Sequence, residues 1–260
     1  MAIQATIEAR YTKQGLLEKY NAEMTKMIDA GVVTRLIDQE MRDWKGGVHY
    51  MSHFPVVNPD SSSTKLRIVM DLKMKNNNSG LSFNDLVEPV PNALSEILVV
   101  LARWRMKPVA LNYDLSKTYH SLKTGPREKH LRRFLFRLSS NESWEVYRYD
   151  AVAFGDRPTA VALELAKTYT SKLGKHVDAK ATLQLVKDSF VEDCGGGGTQ
   201  EEVNEEPGSK MEHTGPVSRL LAMGGFKAKT LVPSFSDVQE EIESLSNKFQ
   251  VVLFFVSLMK

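Results

Sequence analysis

The stretch Lys187–Gln200, KDSFVEDCGGGGTQ, decides how this chain of 260 residues is read. It predicts a strand, a tight acidic turn at Glu192–Asp193 and a returning glycine-rich strand. Two adjacent carboxylates at a hairpin tip are poor packing groups, because charged side chains are rarely buried unless paired or bound to metal. Hard divalent cations such as Mg2+ take carboxylate oxygens and keep several waters, so a few acids plus a phosphate substrate suffice to hold them. The expectation is that this tip faces a third carboxylate, Asp114, and that the set suits phosphoryl transfer. A solvated turn is the competing reading, since Asp and Gly are ordinary turn residues.

Outward from this hairpin, the preceding segment predicts helices. GDRPTAVALELAKTYTSKLG carries Pro158 in a first turn and reads as a helix to Gly174, and Asp178 can cap a second helix over 179–186. Upstream, VALNYDLSKTYHSL opens as a buried strand over Val109–Leu115, with Asp114 where the apolar run gives way to Ser-Lys. An acid at the carboxyl end of a buried strand is a common site position. HLRRFLFRL and WEVYRYDAVAF alternate as a strand pair around a turn at Ser139–Ser143. Downstream, Val217–Met223 reads as a short helix and GGFKAKTLV as a turn into a strand, followed by a helix over 237–248 and an apolar tail.

Towards the N-terminus, apolar positions at helical spacing predict one helix from about Tyr11 to Ala30, closed by Gly31. GVVTRLID predicts a short strand. His49 and His53 have zinc-pair spacing, but Pro55 and a β-rich tail argue for an extended segment instead. KLRIVMDL is an alternating strand between polar loops, carrying Lys65 and Arg67, and Arg forms a bidentate fork with phosphate oxygens. A helix over 93–104 with Asn92 as N-cap ends before Pro108. The order of elements is an α+β plan, with an antiparallel sheet bearing acids on adjacent strands.

Composition is that of an ordinary globular protein, 42% hydrophobic and 25% charged. The net charge of +2 does not announce a nucleic-acid binder. Lys and Arg nevertheless outnumber acids over 103–137, which suits either a groove for a polyanion or a solvated helical face. The single cysteine, Cys194, excludes an internal disulfide and fits a reducing, intracellular setting. The first residues lack the apolar core of a secretory signal, so the sequons at Asn77 and Asn141 carry no weight. The apolar run Val251–Met259 is too short for a membrane span. Gly195–Gly198 is not a phosphate loop, because no Gly-Lys-Ser/Thr follows.

Taken together, LRIVMD at 66–71, ALNYDLSKTYHSL at 110–122, YRYDAVAFGDRPTAVALELAK at 147–167, FVED at 190–193 and GGFKAKT at 224–230 resemble the reverse transcriptases of LTR retrotransposons, most closely the BEL/Pao group. The resemblance implies a right-hand polymerase: N-terminal helix and fingers over 1–108, palm over 109–235 with returning finger strands near 125–150, and a short C-terminal helix and tail over 236–260 without a thumb. It implies an RNA-directed DNA polymerase that takes dNTP, primer and an RNA or DNA template, with two Mg2+ ions or Mn2+ in their place. Asp114, Glu192, Asp193 and the carbonyl of Leu115 would be the metal ligands. Tyr119 matches an aromatic gate against a 2′-hydroxyl, Lys65 and Arg67 match residues that grip the triphosphate, and Phe154 and Gly155 match a loop under the incoming nucleotide. Lys227 falls in a block carrying a proton donor to pyrophosphate. The family's hairpin reads Tyr-x-Asp-Asp, whereas here Phe190 and Glu192 replace its first and third residues. Glu192 therefore leaves a second expectation open: a catalytically inactive remnant that binds nucleic acid or a protein.

Overall fold

The computed structural model describes residues 2–60, 65–75, 79–198 and 216–233, and within them leaves out the side chains of 109–114, 196–198, 216 and 229–233. The fold is α+β. The chain forms two compact units, one of Met1–Asn92 with Lys117–Leu163, the other of Ala93–Ser116 with Glu164–Lys260. The sequence readings for Asp237–Lys248 and Val251–Met259 fall outside the described residues.

The first unit opens with two helices, α1 (Ala2–Lys13) and α2 (Leu17–Asp29), where periodicity predicts one helix beginning near Tyr11. The break lies at Gly15, whose φ is +67°. There Leu16 N–H bonds Tyr11 O at 3.0 Å and Gly15 N–H bonds Thr12 O at 3.0 Å. This is a Schellman stop, in which glycine adopts the left-handed conformation without a Cβ penalty. Gly31 closes α2 in the same way, as its position predicts, with Val32 N–H on Met27 O at 2.9 Å.

A mixed five-stranded sheet follows, in the order β1-β6-β5-β2-β3, with β1 Val33–Arg35, β2 Tyr50–Val57, β3 Leu66–Asp71, β5 Arg133–Phe136 and β6 Glu145–Tyr149. Only β2 and β5 pair in parallel; β2 and β3 pair antiparallel as a hairpin, with Val56 opposite Arg67. The core gathers Tyr20, Met24, Phe134 and Phe136, all essentially inaccessible, with Tyr11, Met51 and Tyr147 around them. The unit also holds the short helices α3 (Asp38–Asp43), α4 (Phe83–Leu86) and α6 (Thr118–Ser121). Ser82 caps α4, accepting from Asp85 N–H.

The second unit is built on an antiparallel sheet in the order β7-β8-β4-β9, comprising β4 (Val109–Leu115), β7 (Ser189–Phe190), β8 (Asp193–Gly198) and β9 (Ala228–Pro233). Helix α5 spans Ile97–Arg105, so Asn92 is not its cap as expected. Glu96 is extended, and its carbonyl takes the first helical bonds, from Val99 and Val100 N–H at 3.0 and 3.1 Å. Apolar spacing continues back to Leu94 and so cannot mark where those bonds begin. Helix α7 runs Thr159–Gly174 and belongs to this unit from Glu164 onward; α8 is Ala179–Lys187 and α9 Pro216–Met223. Asp178 caps α8 as predicted, accepting from Ala181 N–H at 2.8 Å. Leu185, Leu220, Leu221 and Cys194 are buried.

Candidate active site

In the second unit β4 lies between β8 and β9, and its register sets the candidate acids. The backbone of Asp114 pairs directly with Asp193 on β8 and with Thr230 on β9. Directly opposed positions of an antiparallel pair share one face of the sheet, with Cβ atoms about 5 Å apart. The β4–β9 register slips between Asp114 and Leu115, a bulge of the kind that redirects residues beside functional sites. Past it, Ser116 N–H donates to the carbonyl of Lys227 at 2.8 Å. Leu115 is buried and Lys227 is exposed.

The hairpin corner differs by one residue from the sequence reading. The turn is Val191–Glu192, and Asp193 opens β8 rather than sharing the turn. Asp193 is exposed and Glu192 half-buried. Val191 carries φ +50°, a costly conformation for a β-branched residue. The one other non-glycine residue with positive φ among the described residues is Lys117, three positions after Asp114. Each outlier lies within three residues of a candidate acid in the sequence, and strain of this kind clusters at functional sites.

Helix α7 holds that corner with a buried ion pair the sequence reading did not single out. Glu164 accepts from Val191 N–H at 2.7 Å and from the Lys167 ammonium at 2.8 Å. Lys167, 1% exposed, also donates to Val191 O at 2.7 Å and to Ser189 Oγ at 2.9 Å. All three ammonium protons are thereby used. The available signal was a Glu and a Lys three residues apart inside the apolar run of α7, where neither has a solvated face.

The glycine run has a packing reason at its first member. A Cβ on Gly195 would lie 1.7 Å from Trp104 Nε1, so α5 lies against the strand backbone there. Trp104 Nε1 donates to Asp188 O at 2.8 Å, and Gly195 N–H reaches the same carbonyl at 2.6 Å. Arg103 donates to the neighbouring carbonyl of Lys187 at 2.8 Å. Burial raises the Asp188 carboxyl above the usual carboxylate range, against the pull of Lys107 and Arg103.

The remaining candidates lie in the first unit. Lys65 and Arg67 are exposed, at the foot of β3 and within it. Tyr119, on α6, contacts Phe154, with ring centroids 5.8 Å apart and planes at 59°. Phe154 is 70% exposed, unusual for an aromatic side chain. Gly155 has φ +86°, and its carbonyl accepts from Asn84 Nδ2 at 3.0 Å, while Asn84 Oδ1 accepts from Arg157 N–H at 3.2 Å. The structure therefore brings Tyr119, Phe154 and Gly155 into one neighbourhood and adds Asn84 to it.

His53 and several cations serve the core. His53 is buried, donates from Nε2 to Leu135 O at 2.8 Å and accepts at Nδ1 from Tyr20 and Gln4. Its ring nitrogens are thus spent on hydrogen bonds, and it is no half of a zinc pair. In the basic stretch, Arg132 is buried against Asp156 and lies over Phe83, while Arg137 grips Glu8 and lies over Trp144. These cations are neither a solvated face nor a groove lining.

Among the described residues, no three or more His, Cys, Asp or Glu side chains stand together as a metal cluster, the Asp114 side chain being outside that set. No helix among them is long and apolar enough to cross a membrane. No protein-family model and no curated protein matches the chain.

Proposed function

We propose that this chain is a reverse-transcriptase-like domain, with the second unit as palm and the antiparallel hairpin of the first as part of the fingers. The observation that carries the reading is the backbone pairing of Asp114 with Asp193 across β4 and β8, beside a turn that presents Glu192. The donor set fits Mg2+ in kind, since carboxylates with an adjacent main-chain carbonyl at Leu115 are hard oxygen ligands. Metal bound there would supply charge stabilisation to a triphosphate and acidify a primer 3′-hydroxyl. The acids' part is to fix the positions of those charges, and an error near 1 Å costs on the order of 100-fold in rate.

Lys65 and Arg67 are proposed to bind triphosphate oxygens, which their exposed cationic heads suit. Tyr119 packed on Phe154 is proposed as the wall that meets the sugar, and Gly155 as the close backbone approach beneath the base. Lys227 is proposed as the cation near the leaving pyrophosphate. An RNA or DNA template with primer, and dNTP, would be the partners, in an intracellular setting.

Glu192 favours a second reading, an inactive nucleic-acid- or protein-binding remnant, because its extra methylene displaces a carboxylate where an Asp stands in the family. Primer extension on an RNA template with Mg2+ or Mn2+ separates the two. The polymerase reading expects dNTP incorporation that Asp114→Ala abolishes and Glu192→Asp increases. Equal incorporation by the wild type and Asp114→Ala overturns it.

A further inference from the structure

We propose that the buried pair Glu164–Lys167 on α7 is the positioning device of the acidic corner, setting where Glu192 and Asp193 stand through the backbone of Val191. The proposal rests on the metal-binding reading above. Three facts carry it. Both backbone polar groups of Val191 are held by this pair, its N–H by Glu164 and its carbonyl by Lys167, each at 2.7 Å. Val191 sits at φ +50°, which a β-branched residue leaves unless its surroundings impose it. The pair is itself anchored, since Lys167 also holds Ser189 Oγ, and Ser189 donates to Leu185 O at 2.6 Å.

A buried ion pair is weak evidence for stability as such, because desolvation offsets much of its attraction. Here its bonds go to the one strained residue of the corner, immediately ahead of the two acids. The arrangement matches what outer groups do for metal ligands: they orient the ligands, and their loss weakens binding by about 10- to 100-fold.

The test is Mn2+ titration of the full chain, with the free hexaaqua ion read by electron paramagnetic resonance. Lys167→Met alone would leave a buried carboxylate unpaired and risks unfolding. The informative variant is Glu164→Leu with Lys167→Met, which replaces the pair by apolar side chains of similar volume. It is expected to keep the wild-type circular dichroism and to bind Mn2+ about 10- to 100-fold more weakly. Adding Val191→Gly should restore affinity to within about threefold, because glycine adopts positive φ without help. A role confined to stability predicts no such rescue. In the wild type, the Val191 amide should be protected from hydrogen exchange.

A folded double variant that binds Mn2+ as tightly as wild type overturns the inference alone, as does absence of rescue or a rapidly exchanging Val191 amide. Wild-type protein that binds no Mn2+, or whose binding survives Asp193→Asn, overturns the metal reading as well.

Discussion

Gly195 shows how a single residue can be misread by rule. Glycine inside a strand is usually a liability, and Ala there would gain about 0.5–1 kcal/mol from backbone entropy. The Cβ would, however, meet the Trp104 ring at 1.7 Å and displace the indole from Asp188 O. Overpacking of this kind costs about 1–3 kcal/mol, so the clash wins. Gly195→Ala should lower the denaturant midpoint, and an unchanged or higher midpoint would show that Trp104 moves away freely. The sequence displayed the glycines plainly but not the cause of Gly195, since Trp104 approaches from α5, far away in the chain. The same holds for Glu164 and Lys167, whose partner Val191 lies more than twenty residues further along. The backbone pairing of Asp114 with Asp193 was legible only in part: an acid closing an apolar strand is a local pattern, whereas the turn ahead of Asp193 comes one residue earlier than the acidic pair suggests.

Elements were most legible where hydrophobic period and punctuation agreed. β4 occupies Val109–Leu115 as its apolar run predicts, and α8 begins behind the Asp178 cap. α1 and α2 were merged because apolar spacing carries straight through Gly15, although Gly15 closes its helix by the same bonds as Gly31. What then ties those helices to the sheet is His53, which binds Tyr20 on α2 and Gln4 on α1 while sitting on β2. Burial pulls the His53 imidazole down from 6.5 to about 4, with the Leu135 carbonyl opposing. An unfolded chain therefore binds a proton in that range that the folded one refuses. The contribution is complete above about pH 6.5 and is lost as pH falls towards about 4. His53→Gln should flatten this limb of the stability–pH curve, measured by denaturant titration at several pH values. A parallel, merely lowered curve would place the titration elsewhere.

At the scale of the whole molecule, neither unit is a continuous piece of chain. β5 and β6 lie between β1 and β2 in the first sheet, so β1 has no hydrogen-bonded partner without them. A fragment of residues 1–116 should therefore lack cooperative unfolding and dispersed amide resonances, and the fragment 117–260 added to it should recover both. Cooperative folding of the first fragment by itself would mean that its helices and the β2–β3 hairpin suffice as a core. The strand order also bears on how the protein is made. β4 is an inner strand whose two neighbours, β8 and β9, both come later in the chain. At a ribosome adding about 5–20 residues per second, the wait from Leu115 to Asp193 is roughly 4–16 s. During that interval an apolar strand emerges with neither edge covered, and nascent copies on one messenger can pair with each other instead. Slow, non-local pairing of this sort is where a chaperone would engage the growing polypeptide.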